Sequence, residues 1–148
     1  MRRRVFAAMT LLMSFAMLIG GGAAMAQDKP FAEQKIVLQI SDPNPFKQTL
    51  VLNVANNLLK HYGPDKVAVE IVAFGPGLRL LFADNDNKTR IQGLNASGVR
   101  FSACSNTMAK MTSLLGHKPE LHSAAHVVDA GVVRIIDLVD QDYKLVKP

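Results

Sequence analysis

The stretch VAVEIVAFGPG, Val67 to Gly77, decides the fold. Its β-branched run from Val67 to Phe74 reads as a strand, and it passes without a spacer into Gly75-Pro76-Gly77. Upstream, Lys35 to Ile40 (KIVLQI) is a first strand, whose Ile36, Val37 and Leu38 form the near-continuous apolar run of a strand covered on both faces. Ser41-Asp42-Pro43-Asn44-Pro45 breaks that strand, and Asn44 followed by Pro45 suits an N-cap and first helical position. Leu50, Val54, Leu58 and Tyr62 recur every four residues and Gly63-Pro64 is a stop, which predicts a helix over residues 46–62. Strand, helix and strand joined this closely form a βαβ unit, with parallel pairing and a right-handed crossover.

The alternation continues toward the C-terminus. Asp84-Asn85-Asp86 is placed to cap a helix carrying Ile91 and Leu94 up to Gly98. A third strand, Val99 to Ala103, ends at Cys104, and Met108, Met111 and Leu115 mark the helix after it. His126 to Val128 is a fourth strand, Val132, Ile135, Ile136 and Val139 a fourth helix, and Tyr143 to Val146 a final strand. This order predicts an α/β fold, a three-layer α/β/α sandwich with a mostly parallel five-stranded sheet.

Before the first strand, Arg2, Arg3 and Arg4 precede an apolar run from Val5 to Ile19, and Ala24-Met25-Ala26 supplies an A-x-A cleavage pattern. The run is shorter than the ~20 residues that cross a bilayer. Residues 1–26 are therefore expected to be a secretory signal, residues 27–34 a flexible lead and residues 35–148 a single domain. The expected location is outside the cytoplasm, in the bacterial periplasm, with no membrane association after signal removal. Arg3-Arg4 also fits a twin-arginine signal. Of 17 Lys+Arg, three leave with the signal, so 14 face 12 Asp+Glu and nucleic-acid binding loses its main support.

Ligands and chemistry in open parallel sheets gather where strands end and helices begin. Three segments sit at such ends: Ser41 to Pro45 with Asn44, Gly75 to Gly77, and Cys104 to Thr107. Cys104 is the only cysteine, so no internal disulfide can form. In the first turn of a helix its thiol would be stabilised as thiolate, below the unperturbed ~8.5. The other reading is a small buried hydrophobe that closes the strand end. Asn106 and Thr107 are expected to cap the helix, to orient a substrate, or both. Gly75 and Gly77 would let backbone approach an anion, or simply turn the chain.

No metal site is expected, since His122 and His126, four apart, straddle a strand boundary with no carboxylate motif around them. No cofactor is expected either. A serine hydrolase lacks its G-x-S-x-G elbow, while a Cys/His pair with His117, His122 or His126 stays open.

The segments KIVLQISD, VEIVAFGPGLRLL, GVRFSACSNTM and AGVVRIIDLVDQDYKLVKP together resemble the DsrE/DsrF-like (YchN-like) family, over nearly all of residues 35–148. The resemblance implies a three-layer α/β/α fold, a homo-oligomer such as a trimer or hexamer, and sulfur transfer through a cysteine persulfide. Cys104 falls on the cysteine of the family's A-C-x-N-T-M segment, with Asn106, Thr107 and Met108 on its neighbours, and Ser105 stands where glycine is expected. The expected function is thus an exported sulfur carrier that accepts sulfane sulfur on Cys104 and hands it on. Its donor and acceptor would be proteins or small sulfur compounds. The alternative is a non-enzymatic oligomeric module that binds a small ligand at the same strand ends.

Overall fold

The computed structural model describes residue 29 and residues 31–148, so the expected signal over residues 1–26 lies outside the described residues. The chain runs β1 (Gln34–Ile40), α1 (Pro45–Tyr62), β2 (Val67–Ala73), a 3-10 helix (Gly75–Leu81), α2 (Lys88–Ala96), β3 (Arg100–Cys104), α3 (Ser105–Leu115), β4 (Ala125–Val128), α4 (Gly131–Val139) and β5 (Lys144–Val146). Its strands form one five-stranded sheet in the order β4-β3-β2-β1-β5. Every pairing is parallel, so the expected α/β fold is what the chain forms.

Side-chain alternation divides the sheet into two unequal faces. On one, Ile36, Leu38, Ile71 and Phe101 pack with Leu52 and Ala55 of α1, Ile91 of α2 and Met108 of α3. On the other, Val37 and Val72 meet only Ile135 and Leu138 of α4, with Phe74 and Tyr143 at the margin. Right-handed crossovers explain the split. Three steps in one direction, from β1 through β2 and β3 to β4, put their helices on one face, and the return from β4 to β5 puts α4 on the other. The neighbours β3 and β4 therefore send their helices to opposite faces, the arrangement at which ligands gather in open parallel sheets.

Local chemistry agrees with most of the expected elements and corrects two. Asn44 caps α1, its Oδ1 accepting the Phe46 N–H at 2.9 Å. The buried stripe of α1 is Gln48, Val51, Leu52, Ala55 and Leu59, whereas Leu50 and Tyr62 of the expected stripe are 44% and 37% exposed. A row of every fourth residue drifts around a 3.6-residue helix, while i, i+3, i+4, i+7 stays on one face. The second correction concerns α2, which neither Asp84 nor Asp86 caps. Instead Asn85 Oδ1 accepts the Asn87 N–H at 2.9 Å, and Asn85 Nδ2 donates to Gln48 Oε1 at 3.0 Å and to Arg79 O at 2.9 Å. An ionised carboxylate only accepts, so a neighbouring aspartate could not do the same.

At the N-terminal end of the expected lead, Lys29 Nζ donates to Val67 O at 3.1 Å, and the Glu33 N–H donates to Lys66 O at 2.8 Å. β1 begins at Gln34, one residue inside that lead.

Candidate functional site

Cys104 is both the last residue of β3 and the N-cap of α3. Phe101 and Ala103 point into the larger core, so Cys104, with Ser102, points to the α4 side. There the chain following β4 returns to begin α4 at Gly131. A Cβ added to Gly131 would stand 2.9 Å from Phe74 Cβ and 3.3 Å from Cys104 Cβ, so the first turn of α4 lies flush against the cysteine. The cysteine is buried, 5% exposed.

Burial pushes the Cys104 thiol up, but the Thr107 side chain and the backbone N–H groups of Gly131, Thr107 and Asn106 beside it favour the anion and outweigh that. The thiol is held below its ordinary value. These donors come from two helix N-termini, α3 and α4, which approach from opposite faces of the sheet. Thr107 is itself oriented, because its Oγ1 accepts the Gly75 N–H at 2.9 Å. With that oxygen already accepting, its single O–H is free to donate to the sulfur. Gly75 has φ +53°, a left-handed conformation that glycine adopts without strain.

Beneath the thiol lies a buried ion pair that the sequence reading did not single out. Glu70, in the middle of β2, is fully buried. Arg134 of α4 forks onto it, Nε to Oε1 at 2.8 Å and Nη2 to Oε2 at 2.7 Å. Ser102 Oγ donates to Glu70 Oε1 at 2.6 Å, and Arg100 Nε stands 3.7 Å from Oε2. The signal was present in the sequence, since a lone glutamate inside V-A-V-E-I-V-A must find a partner when the strand is covered on both faces.

The structure brings together Cys104, Asn106, Thr107 and Gly75, and it places the other expected site residues elsewhere. Asn44 is spent on capping α1. Gly77 packs under β1, where an added Cβ would lie 2.6 Å from Ile40 O. Asn106 and Thr107 provide no side-chain cap for α3, and Thr107 is turned to the sulfur. Gly75, Asn106 and Thr107 line a cavity of about 320 Å³, which shares Pro76, Met111 and Leu114 with a groove of about 610 Å³ beside Phe82 and Leu115. Cys104 lines neither, because its side chain lies on the α4 side. No histidine is among the sulfur's partners. His122 Nδ1 accepts the Ala124 N–H at 3.1 Å, and His126 pairs with Ser102 in register. Among the described residues no three His, Cys, Asp or Glu side chains gather as metal ligands, and no helix is long and apolar enough to cross a membrane.

These features define an α/β protein with a buried cysteine where β3 ends and the first turns of α3 and α4 meet. No family model matches the chain, and no curated protein matches it. Among solved structures it is similar to a protein of unknown function from Methanobacterium thermoautotrophicum, with a TM-score of 0.69 and 25% sequence identity, over 78% of this chain and 100% of that one.

Proposed function

We propose that the chain is an exported sulfur carrier of the DsrE/DsrF-like kind, with Cys104 as its single carrying atom. The observation that carries this reading is the seat of Cys104 at the N-terminus of α3 with the first turn of α4 against it, where a Cβ on Gly131 would stand 3.3 Å from Cys104 Cβ, a setting in which the thiol is held below its ordinary value. Such a cradle favours an anion on the sulfur, and both thiolate and persulfide are anions. In the first step the Cys104 thiolate attacks the sulfane sulfur of a donor such as thiosulfate. An S–S bond to Cys104 forms, the donor's S–S bond breaks, and sulfite leaves with the electron pair. In the second step an acceptor thiolate attacks the outer sulfur of the Cys104 persulfide, and Cys104 departs again as thiolate. No net oxidant is needed.

Intact mass of the full chain after incubation with thiosulfate or polysulfide tests the reading. The wild type should gain one sulfur atom, removable by a small thiol, and Cys104→Ser should gain none. Absence of a gain with both donors would sink it. The groove beside Phe82, Met111 and Leu115 favours the second reading, a small-ligand module, in that event.

We also propose that the protein is a homo-oligomer, trimer or hexamer, assembled through α4. Val132, Val133 and Ile136 on its outer side are each 54% exposed and Val139 is 44% exposed, an apolar stripe on a helix that already buries Ile135 and Leu138. Sedimentation at micromolar concentration should show an oligomer for the wild type and a monomer for Ile136→Glu. A monomeric wild type would refute the assembly.

A further inference from the structure

We propose that the Glu70–Arg134 ion pair is the positioning element of the thiol site, fixing the first turn of α4 where Gly131 packs against Cys104. The inference rests on the reading of Cys104 as a working thiolate.

The argument starts from what α4 lacks. It is nine residues long, and its outward side carries Val132, Val133 and Ile136 while its inward side carries Ile135 and Leu138. Its apolar arc is wider than the edge it buries, with Arg134 and Asp137 on the remaining side, so several rotations would bury similar apolar area and hydrophobic packing alone specifies its azimuth poorly. A planar guanidinium forked onto a fixed carboxylate does specify it, because two parallel hydrogen bonds set distance and angle together. Arg134 lies one turn after Gly131, and its backbone N–H donates to Ala130 O at 2.9 Å. Glu70 is itself held from the neighbouring strand by Ser102 at 2.6 Å. Ser102 is two residues before Cys104 on the same face of β3, so one network ties the thiol's strand to the helix that supplies one of its donors. The fit is close, since Gly131 leaves no room for even a methyl against Phe74. Buried ion pairs commonly contribute more to specifying an arrangement than to stability, and that is the role assigned here.

The charged and titratable groups on the elements that flank the thiol are Arg100 on β3, Glu70 on β2, Arg134 on α4, His126 on β4, opposite Ser102, and Asp129 just after β4, whose Val128 pairs with Cys104. None of them is a hydrogen-bond partner of the sulfur. Glu70 and Arg134 therefore act on it through position.

The test is the pH dependence of Cys104 alkylation by iodoacetamide in the full chain. The double variant Glu70→Gln with Arg134→Met removes both charges together, so the net charge near the sulfur is unchanged. Its midpoint should rise by about one pH unit, the worth of one hydrogen bond to an anion. Arg134→Lys keeps the cation without the fork and should show a smaller rise; it also stands as the readout if the double variant does not fold. A folded variant of either kind with the wild-type midpoint would overturn the proposal. Sulfur uptake measured on the same samples separates the two ideas. A wild type that takes up no sulfur while the variants' midpoints rise sinks the carrier and leaves the positioning intact. Uptake by the wild type with unmoved midpoints does the reverse.

Discussion

Arg134→Ala is expected to lower the free energy of unfolding by about 3–5 kcal/mol, read as a lower urea midpoint at unchanged slope. The size follows from what is left behind. Glu70 is fully buried, and without Arg134 its carboxylate keeps only the Ser102 hydroxyl at 2.6 Å and Arg100 at 3.7 Å. Burial pushes the Glu70 carboxyl up, and the Arg134 fork, the Ser102 hydroxyl and the charges of Arg134 and Arg100 together hold it below its ordinary value. The pair's contribution is therefore complete above the ordinary glutamate range and is lost as pH falls through that range toward the lower folded value. Removing both partners should cost far less than removing one, since no charge is stranded. The double variant should also lose less stability than the wild type between neutral and acidic pH. Equal urea midpoints for Arg134→Ala and wild type would show that water, not Arg134, already satisfies Glu70.

The strands and the reactive atom were legible in the sequence because they depend on neighbours close along the chain. The Val67–Ala73 run, the Asn44-Pro45 entry to α1 and the position of Cys104 at the end of β3 are local patterns, and each is found where expected. The donors to the thiol were only half legible. Asn106 and Thr107 follow Cys104 directly, whereas Gly131 reaches it because β4 lies beside β3 and α4 leaves on the opposite face. Strand order is a long-range property, and period-two alternation carries no record of it. Strand ends of a parallel sheet face one edge, and the fourth of them, Asp129-Ala130-Gly131, carries the amide that the other three ends do not supply. Of the roles expected of Thr107, capping the helix, orienting a substrate, or both, the cap is not formed, for a related reason. A threonine in a first helical turn is ordinarily a cap, and only the arrival of the Gly75 N–H from a neighbouring strand end redirects its hydroxyl.

That redirection gives Thr107→Val the largest expected effect on the thiol short of removing it. Valine keeps the shape of threonine and deletes the hydroxyl, so the sulfur loses a donor while the first turn of α3 keeps its packing. One hydrogen bond to an anion contributes about 1.5–3 kcal/mol, which places the alkylation midpoint about one to two pH units higher. Alkylation at neutral pH should slow by about ten-fold or more, and ultraviolet thiolate absorbance should titrate in parallel. The Gly75 N–H would lose its acceptor as well, and its partial burial sets a stability cost of about 1–3 kcal/mol. Thr107→Ser retains the hydroxyl and should titrate near the wild type, which separates loss of the donor from disturbance of the loop. If Thr107→Val titrates like the wild type, the backbone amides of Gly131, Thr107 and Asn106 hold the thiolate unaided. The weight of the site would then rest on how firmly α4 is seated rather than on any side chain that touches the sulfur.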